Sequence, residues 1–176
     1  MVFTHDTTAA LAAAVDLVNS AVDPDTLTEL AQVDAFFAKH GYTGARARDA
    51  DDLAAVRAVR APLRRMLTAD RDTAARLVND VLAAHRAVPQ LVRHDGLDYH
   101  LHVLHPDTPL VDRIAAETAM AMVDVIRADE MSRLAVCAAE SCEGMVLDLS
   151  RNRSRRFCST TCGNRLAVAA YRARRK

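Results

Sequence analysis

The only four cysteines of the chain fall close together, as Cys137-x4-Cys142-x15-Cys158-x3-Cys162. Four thiolates suit a tetrahedral zinc ion, which is borderline-soft and imposes no ligand-field geometry. The last pair is spaced i, i+4, which sets both sulfurs on one face of a starting helix. Ser159 or Thr160 is placed to cap that helix, and Gly144 is expected to loosen the chain into a knuckle after the first pair. Between the pairs, Val146, Leu147 and Leu149 lead into a polar bend at Ser150–Ser154, which predicts a short hairpin. Knuckle, hairpin and helix make a treble-clef-like finger holding one structural zinc through Cys137, Cys142, Cys158 and Cys162. A module this short buries too little core to fold without a staple. An iron–sulfur cluster is the metallic rival, and two separated pairs lean towards zinc.

Charge points to what the finger would meet. The chain has 23 basic and 23 acidic residues, yet no Asp or Glu follows Asp148. Residues 151–176 carry Arg151, Arg153, Arg155, Arg156, Arg165, Arg172, Arg174, Arg175 and Lys176, a charge of +9 that leaves −9 on residues 1–150. Such a split predicts two parts, the basic one aimed at a polyanion. On a helix, Arg165, Arg172 and Lys176 form one stripe, with Leu166, Ala169, Ala170 and Ala173 on the back. An Arg-rich stripe suits phosphate and guanine contacts, and duplex DNA is the expected partner. Few aromatics flank the finger, which disfavours single-strand stacking. RNA helices and an acidic protein face stay open as alternatives. The acidic N-terminal part would repel DNA and is read as an effector-binding or protein-interaction module, with a possible hold on the basic tail.

A site for chemistry is not evident elsewhere. No G-x-S-x-G, P-loop or dinucleotide fingerprint occurs, and a zinc with four protein ligands keeps no open position. A non-enzyme is expected. His100 and His102 lie two apart on one strand, with His94 and His105 near, and period-two alternation reads them as a polar outer face. Met120, Met122, Phe36 and Phe37 read as core. Asn152 and Asn164 could read bases, although such residues more often serve turns and caps.

The elements that must position the finger are mostly helical. Aromatics are 4% with no Trp, so Ala, Val, Leu and Met must fill the core, which favours close-packed helices. Helical spacing predicts helices over residues 8–22, from a cap at Asp25 to Gly41, from Asp49 to Leu67 with Pro62 kinking or splitting it, and over 73–87. Gly44 is expected to keep its segment loose. Asp95-Gly96 predicts a two-residue hairpin turn, with Leu97, Tyr99, Leu101 and Val103 facing the helices. Pro109 then opens a long helix to about Leu134. The expected fold is mainly α with a small β-hairpin: a helical domain over 1–133, then the finger over 134–176. No stretch approaches eighteen uninterrupted apolar residues and no basic leader precedes an apolar run, so no membrane association and a cytoplasmic, reducing location are expected.

Cys162-Gly163-Asn164-Arg165 resembles the signature of the CGNR zinc-finger proteins, and the run from Leu147 to Ser159 (LDLSRNRSRRFCS) is similar to theirs. Asp16-Leu17-Val18-Asn19-Ser20 and Asp25-Thr26-Leu27 resemble the opening of the ABATE-type domain that precedes this finger in many relatives. The resemblance implies a stress-related transcription regulator. Relatives often carry Trp where Phe157 stands, and one more residue between the last two cysteines.

Overall fold

The computed structural model describes residues 3–44, 46–93 and 98–173, without the side chains of residues 166 and 169–173. The predicted Asp95-Gly96 turn, Leu97 and His94 lie outside the described residues, as do Arg174, Arg175 and Lys176.

Five helices come first: α1 (His5–Asn19), α2 (Leu30–Lys39), α3 (Ala50–Ala58), α4 (Arg60–Thr68) and α5 (Arg71–Ala84). A small hairpin, β1 (Gln90–Val92) with β2 (His100–His102), leads into the central helix α6 (Leu110–Arg127). The finger contributes β3 (Leu134–Val136), β4 (Met145–Leu147) and α7 (Thr160–Ala173). The protein is thus mainly helical, with two small hairpins. No helix among the described residues is long and apolar enough to cross a membrane.

Helix α1 lies against α6, and their apolar stripes form the centre of the core with Val33, Val56, Leu63, Leu67 and Val78. Leu11, Leu17, Ile114 and Met122 are fully buried. Pro62 splits the third predicted helix: α3 ends at Ala58 and α4 restarts at Arg60, which leaves Pro62 in a first turn where no N–H is needed. Asp25 does not cap α2. Glu29 does, in a capping box with Gln32, while Asp25 turns back to bind the buried Arg60 through both oxygens at 2.9 Å. That guanidinium holds the Asp25 carboxyl well below the usual carboxylate range.

The long helix stops at Arg127, short of Leu134. Asp129 takes a left-handed φ of 57°. The N–H of Asp129 reaches the Ile126 carbonyl and that of Glu130 reaches Val125, the paired bonds of a Schellman ending. Gly44 is not loose: at φ 87°, a Cβ there would sit 2.3 Å from the Pro106 carbonyl oxygen. In the β1–β2 ladder Leu91 faces Leu101 and Gln90 faces His102. Tyr99, expected to face the helices, is largely exposed, while Val103 is buried.

Candidate metal centre and nucleic-acid interface

Residues 131–133 form one 3-10 turn that delivers the chain to β3. Strand β3 pairs antiparallel with β4, Ala135 opposite Val146. The hairpin of the finger therefore straddles the first cysteine pair. The hairpin expected to turn at Ser150–Ser154 is absent from the described residues: residues 148–159 hold a turn at 151–152 and bends but no strand, and Val146 and Leu147 pair with β3 instead. Asp148 organises them, accepting from the Ser150 N–H at 2.8 Å and the Arg155 N–H at 2.7 Å. Helix α7 then starts at Thr160. Ser159 Oγ accepts from the Cys162 N–H at 3.2 Å, the N-cap foreseen for it.

These elements converge the four sulfurs, which all lie within 4.8 Å of one another. Cys142 and Cys158 Sγ are 3.7 Å apart, Cys158 and Cys162 3.7 Å, and Cys162 and Cys142 3.6 Å. A tetrahedron with Zn–S bonds of about 2.3 Å has an edge of about 3.8 Å, so the donors fit zinc. A disulfide would need about 2.05 Å between sulfurs. Backbone N–H groups support the set, Gly144 to Cys142 at 3.5 Å and Cys158 to Cys137 at 3.4 Å. Without an ion the thiols compete. Burial works against the Cys137 thiolate, but N–H donors from Ala139 and Cys158 outweigh it and hold the group down to about 7. Burial and the neighbouring thiols push Cys158 up to about 12. A bound cation would resolve this conflict by taking all four as thiolates.

Gly144 has a different role from the one expected. A Cβ there would lie 2.7 Å from Cys158 Sγ, so the residue makes room for the metal site. A Cβ at Gly163 would meet Phe157 only at 3.5 Å, an ordinary contact.

The finger is seated on the helical domain. Leu134, Met145 and Leu147 join the main core. Arg133, 4% exposed, donates to the carbonyls of Asp148 and Ser150 and to Glu130. Asn19, at the end of α1, clamps β4: its Nδ2 donates to the Met145 carbonyl at 3.0 Å, and its Oδ1 accepts from the Met145 N–H at 2.6 Å. Helical spacing gave no sign of this role, since Asn19 lies where α1 was simply expected to continue. Asn19→Ala would leave both backbone groups of Met145, a residue 1% exposed, without their partner. The expected cost is about 2–3 kcal/mol in urea unfolding. A change below about 0.5 kcal/mol would show that water replaces the clamp.

The arginines divide by what they touch. Arg151, Arg156 and Arg165 are exposed and in no ion pair among the described residues. Arg153 reaches Glu130 Oε1 at 2.9 Å. Arg155 is also exposed, but its guanidinium lies over the carbonyls of Leu147, Phe157 and Cys158 at 3.3–3.4 Å. Asn164 is exposed at the start of the second turn of α7, and Asn152 is exposed in the turn at 151–152. The side chain of Arg172 lies outside the described residues.

Comparison with known families agrees with this architecture. Residues 133–175 match the CGNR zinc finger, and residues 11–129 match ABATE, described as "Putative stress-induced transcription regulator". No curated protein matches the chain. With more than half its length under the ABATE match and four sulfurs converged at its end, the chain belongs to the ABATE family and carries a CGNR zinc finger.

Proposed function

We propose that the protein is a non-enzymatic DNA-binding regulator of the cytoplasm, in which one structural zinc per chain braces a basic finger against a helical effector or interaction module. The observation that carries this reading is the placement of Arg151, Arg156 and Arg165. They are exposed around a rigid four-sulfur centre, in a segment of nine cations and no anion after residue 150. Fixed cations lose less freedom on meeting phosphate than cations on a loose tail. A closed set of four sulfurs leaves no metal position for substrate, which supports binding over catalysis. Zinc-finger and transcription-regulator relatedness points the same way.

The test is a titration of full-length, zinc-loaded protein against duplex DNA, duplex RNA and an acidic peptide at several salt concentrations. Duplex DNA should bind with a steep salt dependence. The triple variant Arg151→Ala, Arg156→Ala, Arg165→Ala should flatten the slope by about 3 units, one per lost phosphate contact. Arg155→Ala tests separately the arginine bonded to the finger's own carbonyls and should act mainly on stability. If the acidic peptide or RNA binds tightly while DNA shows no salt-sensitive affinity, the DNA reading falls.

A further inference from the structure

A cavity of about 740 Å³ opens between α1, α6, β2 and the chain after α2, at the opposite end of α1 from Asn19. That volume is in the range of small-molecule sites. It exists because the helices present small side chains there, Ala9, Ala12 and Ala13 from α1 and Ala121 from α6. Leucines at those positions would fill it. Rings of Tyr42, His40, His100 and His102 supply the walls, and Met120 faces the space that a core residue would have closed. The two strand histidines, expected on an outer face, thus look into this cavity. An alanine floor with ring walls favours a flat aromatic body.

The charged groups of the wall are largely matched already. Lys39 and His40 share Asp16. Asp6 accepts from the N–H groups of Leu101 and Thr7, both at 3.1 Å. Asp124 accepts from the Thr7 hydroxyl at 2.5 Å. His100 and His102 bond each other through Nε2 at 3.1 Å. A fully charged ligand would therefore meet groups that already have counter-charges or donors. Two neighbours on α6 keep bonding capacity. Arg113, 4% exposed, commits Nε and Nη1 to the carbonyls of Thr108 and Thr43, and its buried Nη2 bonds no described group. One turn on, Glu117 lies beside Tyr42 and faces the cavity. Desolvation lifts its carboxyl to about 7, so the group can either donate or accept.

We propose that this cavity binds an uncharged, flat amide or nitrogen heterocycle, its carbonyl or ring nitrogen accepting from Arg113 and its N–H group bonding Glu117. The proposal rests on reading the helical domain as an effector module. Its test contains no DNA, so its failure is distinct from a failure of the finger to bind DNA.

Full-length, zinc-loaded protein is titrated calorimetrically with benzamide, benzoate and benzylamine, three probes of one shape and different charge. Benzamide should bind in the millimolar range, as expected of a probe this small, and at least about tenfold more tightly than either charged probe. Ala12→Leu should abolish benzamide binding while the circular dichroism spectrum and thermal transition stay those of a folded protein. Ala9→Leu, at an exposed position of the same wall, gives the same reading if Ala12→Leu does not fold. Benzamide with no measurable binding overturns the proposal. So does a charged probe that binds as tightly, or benzamide binding that survives the filled floor in a folded variant.

Discussion

Gly144→Ala should strip the finger of zinc almost as completely as Cys158→Ala. A Cβ at residue 144 would stand 2.7 Å from Cys158 Sγ and 3.0 Å from Cys158 Cβ. Ordinary contact begins at 3.4 Å, so the sulfur would have to retreat by about 0.7 Å. Zinc sites tolerate deviations of only about 0.2 Å in ligand distance. A retreat of that size would carry the Cys158 sulfur out of the set it forms with Cys142 and Cys162 at 3.7 Å. Structural zinc supplies on the order of 10 kcal/mol to small metal modules, so a lost ligand unfolds the module rather than loosening it. We expect at least a hundredfold loss of zinc affinity in a chelator competition, with protease cleavage appearing after Val136 while residues 5–127 stay protected. Gly163→Ala is the matched control, since its Cβ meets Phe157 at an ordinary distance. It should keep its zinc and gain slightly from the helix preference of Ala over Gly. Full zinc occupancy in Gly144→Ala would show that the knuckle shifts freely and that the close approach is not what requires glycine there.

That contrast shows how much of the site could be read beforehand. The four ligands were legible because residue type and spacing alone define tetrahedral donors. The reason for Gly144 was not, because it is a contact across the metal site with a residue fourteen positions away. The same limit hid the partner of β4. Val146 and Leu147 have apolar strand character, but their mate, residues 134–136, starts where the long helix was expected to end, at about Leu134, and carries no strand signal of its own. What ends that helix is Asp129 in a left-handed conformation, and Arg86 ends α5 in the same way at φ 48°. Only Gly41, which closes α2 at φ 66°, announces such an ending by its residue type. Pro62 was legible for the same local reason, since its missing N–H limits where a helix can accommodate it.

The motif that resembled the ABATE opening gains a physical meaning from its contacts. Asp16 gathers Lys39 and His40, Asn19 clamps Met145, and Ser20 receives Arg60 at 3.2 Å. Helix α1 therefore touches the cavity with its first half and the finger with its last turn. A change in how α1 packs at the cavity is carried by one rigid element to the strand that follows the first cysteine pair. This is connection by packing, and coupling between the two ends follows only if α1 has two arrangements.

Stability should depend on pH through Glu117, with a sign opposite to that of an ordinary surface carboxylate. Burial raises its carboxyl from 4.5 to about 7, and neither the charge of Arg113 nor the neighbouring Tyr42 hydroxyl fully offsets this. Below pH 4.5 the group is neutral in folded and unfolded chains alike and costs nothing. Between 4.5 and 7 the unfolded chain releases its proton while the folded chain retains it. The folded state then binds more protons, so stability falls as pH rises, and the loss is complete above 7. The shift corresponds to on the order of 3 kcal/mol, and the side chain's window on the cavity places the effect toward 2. Glu117→Gln keeps a polar group beside Tyr42 and removes the titration. Zinc release in acid affects both proteins equally, so the quantity to follow is the difference between them in urea unfolding. That difference should be small near pH 5 and grow by about 2 kcal/mol in favour of the Gln variant by pH 8. Parallel stability curves from pH 5 to 8 would mean that cavity water solvates the carboxylate and that Glu117 is ionised throughout.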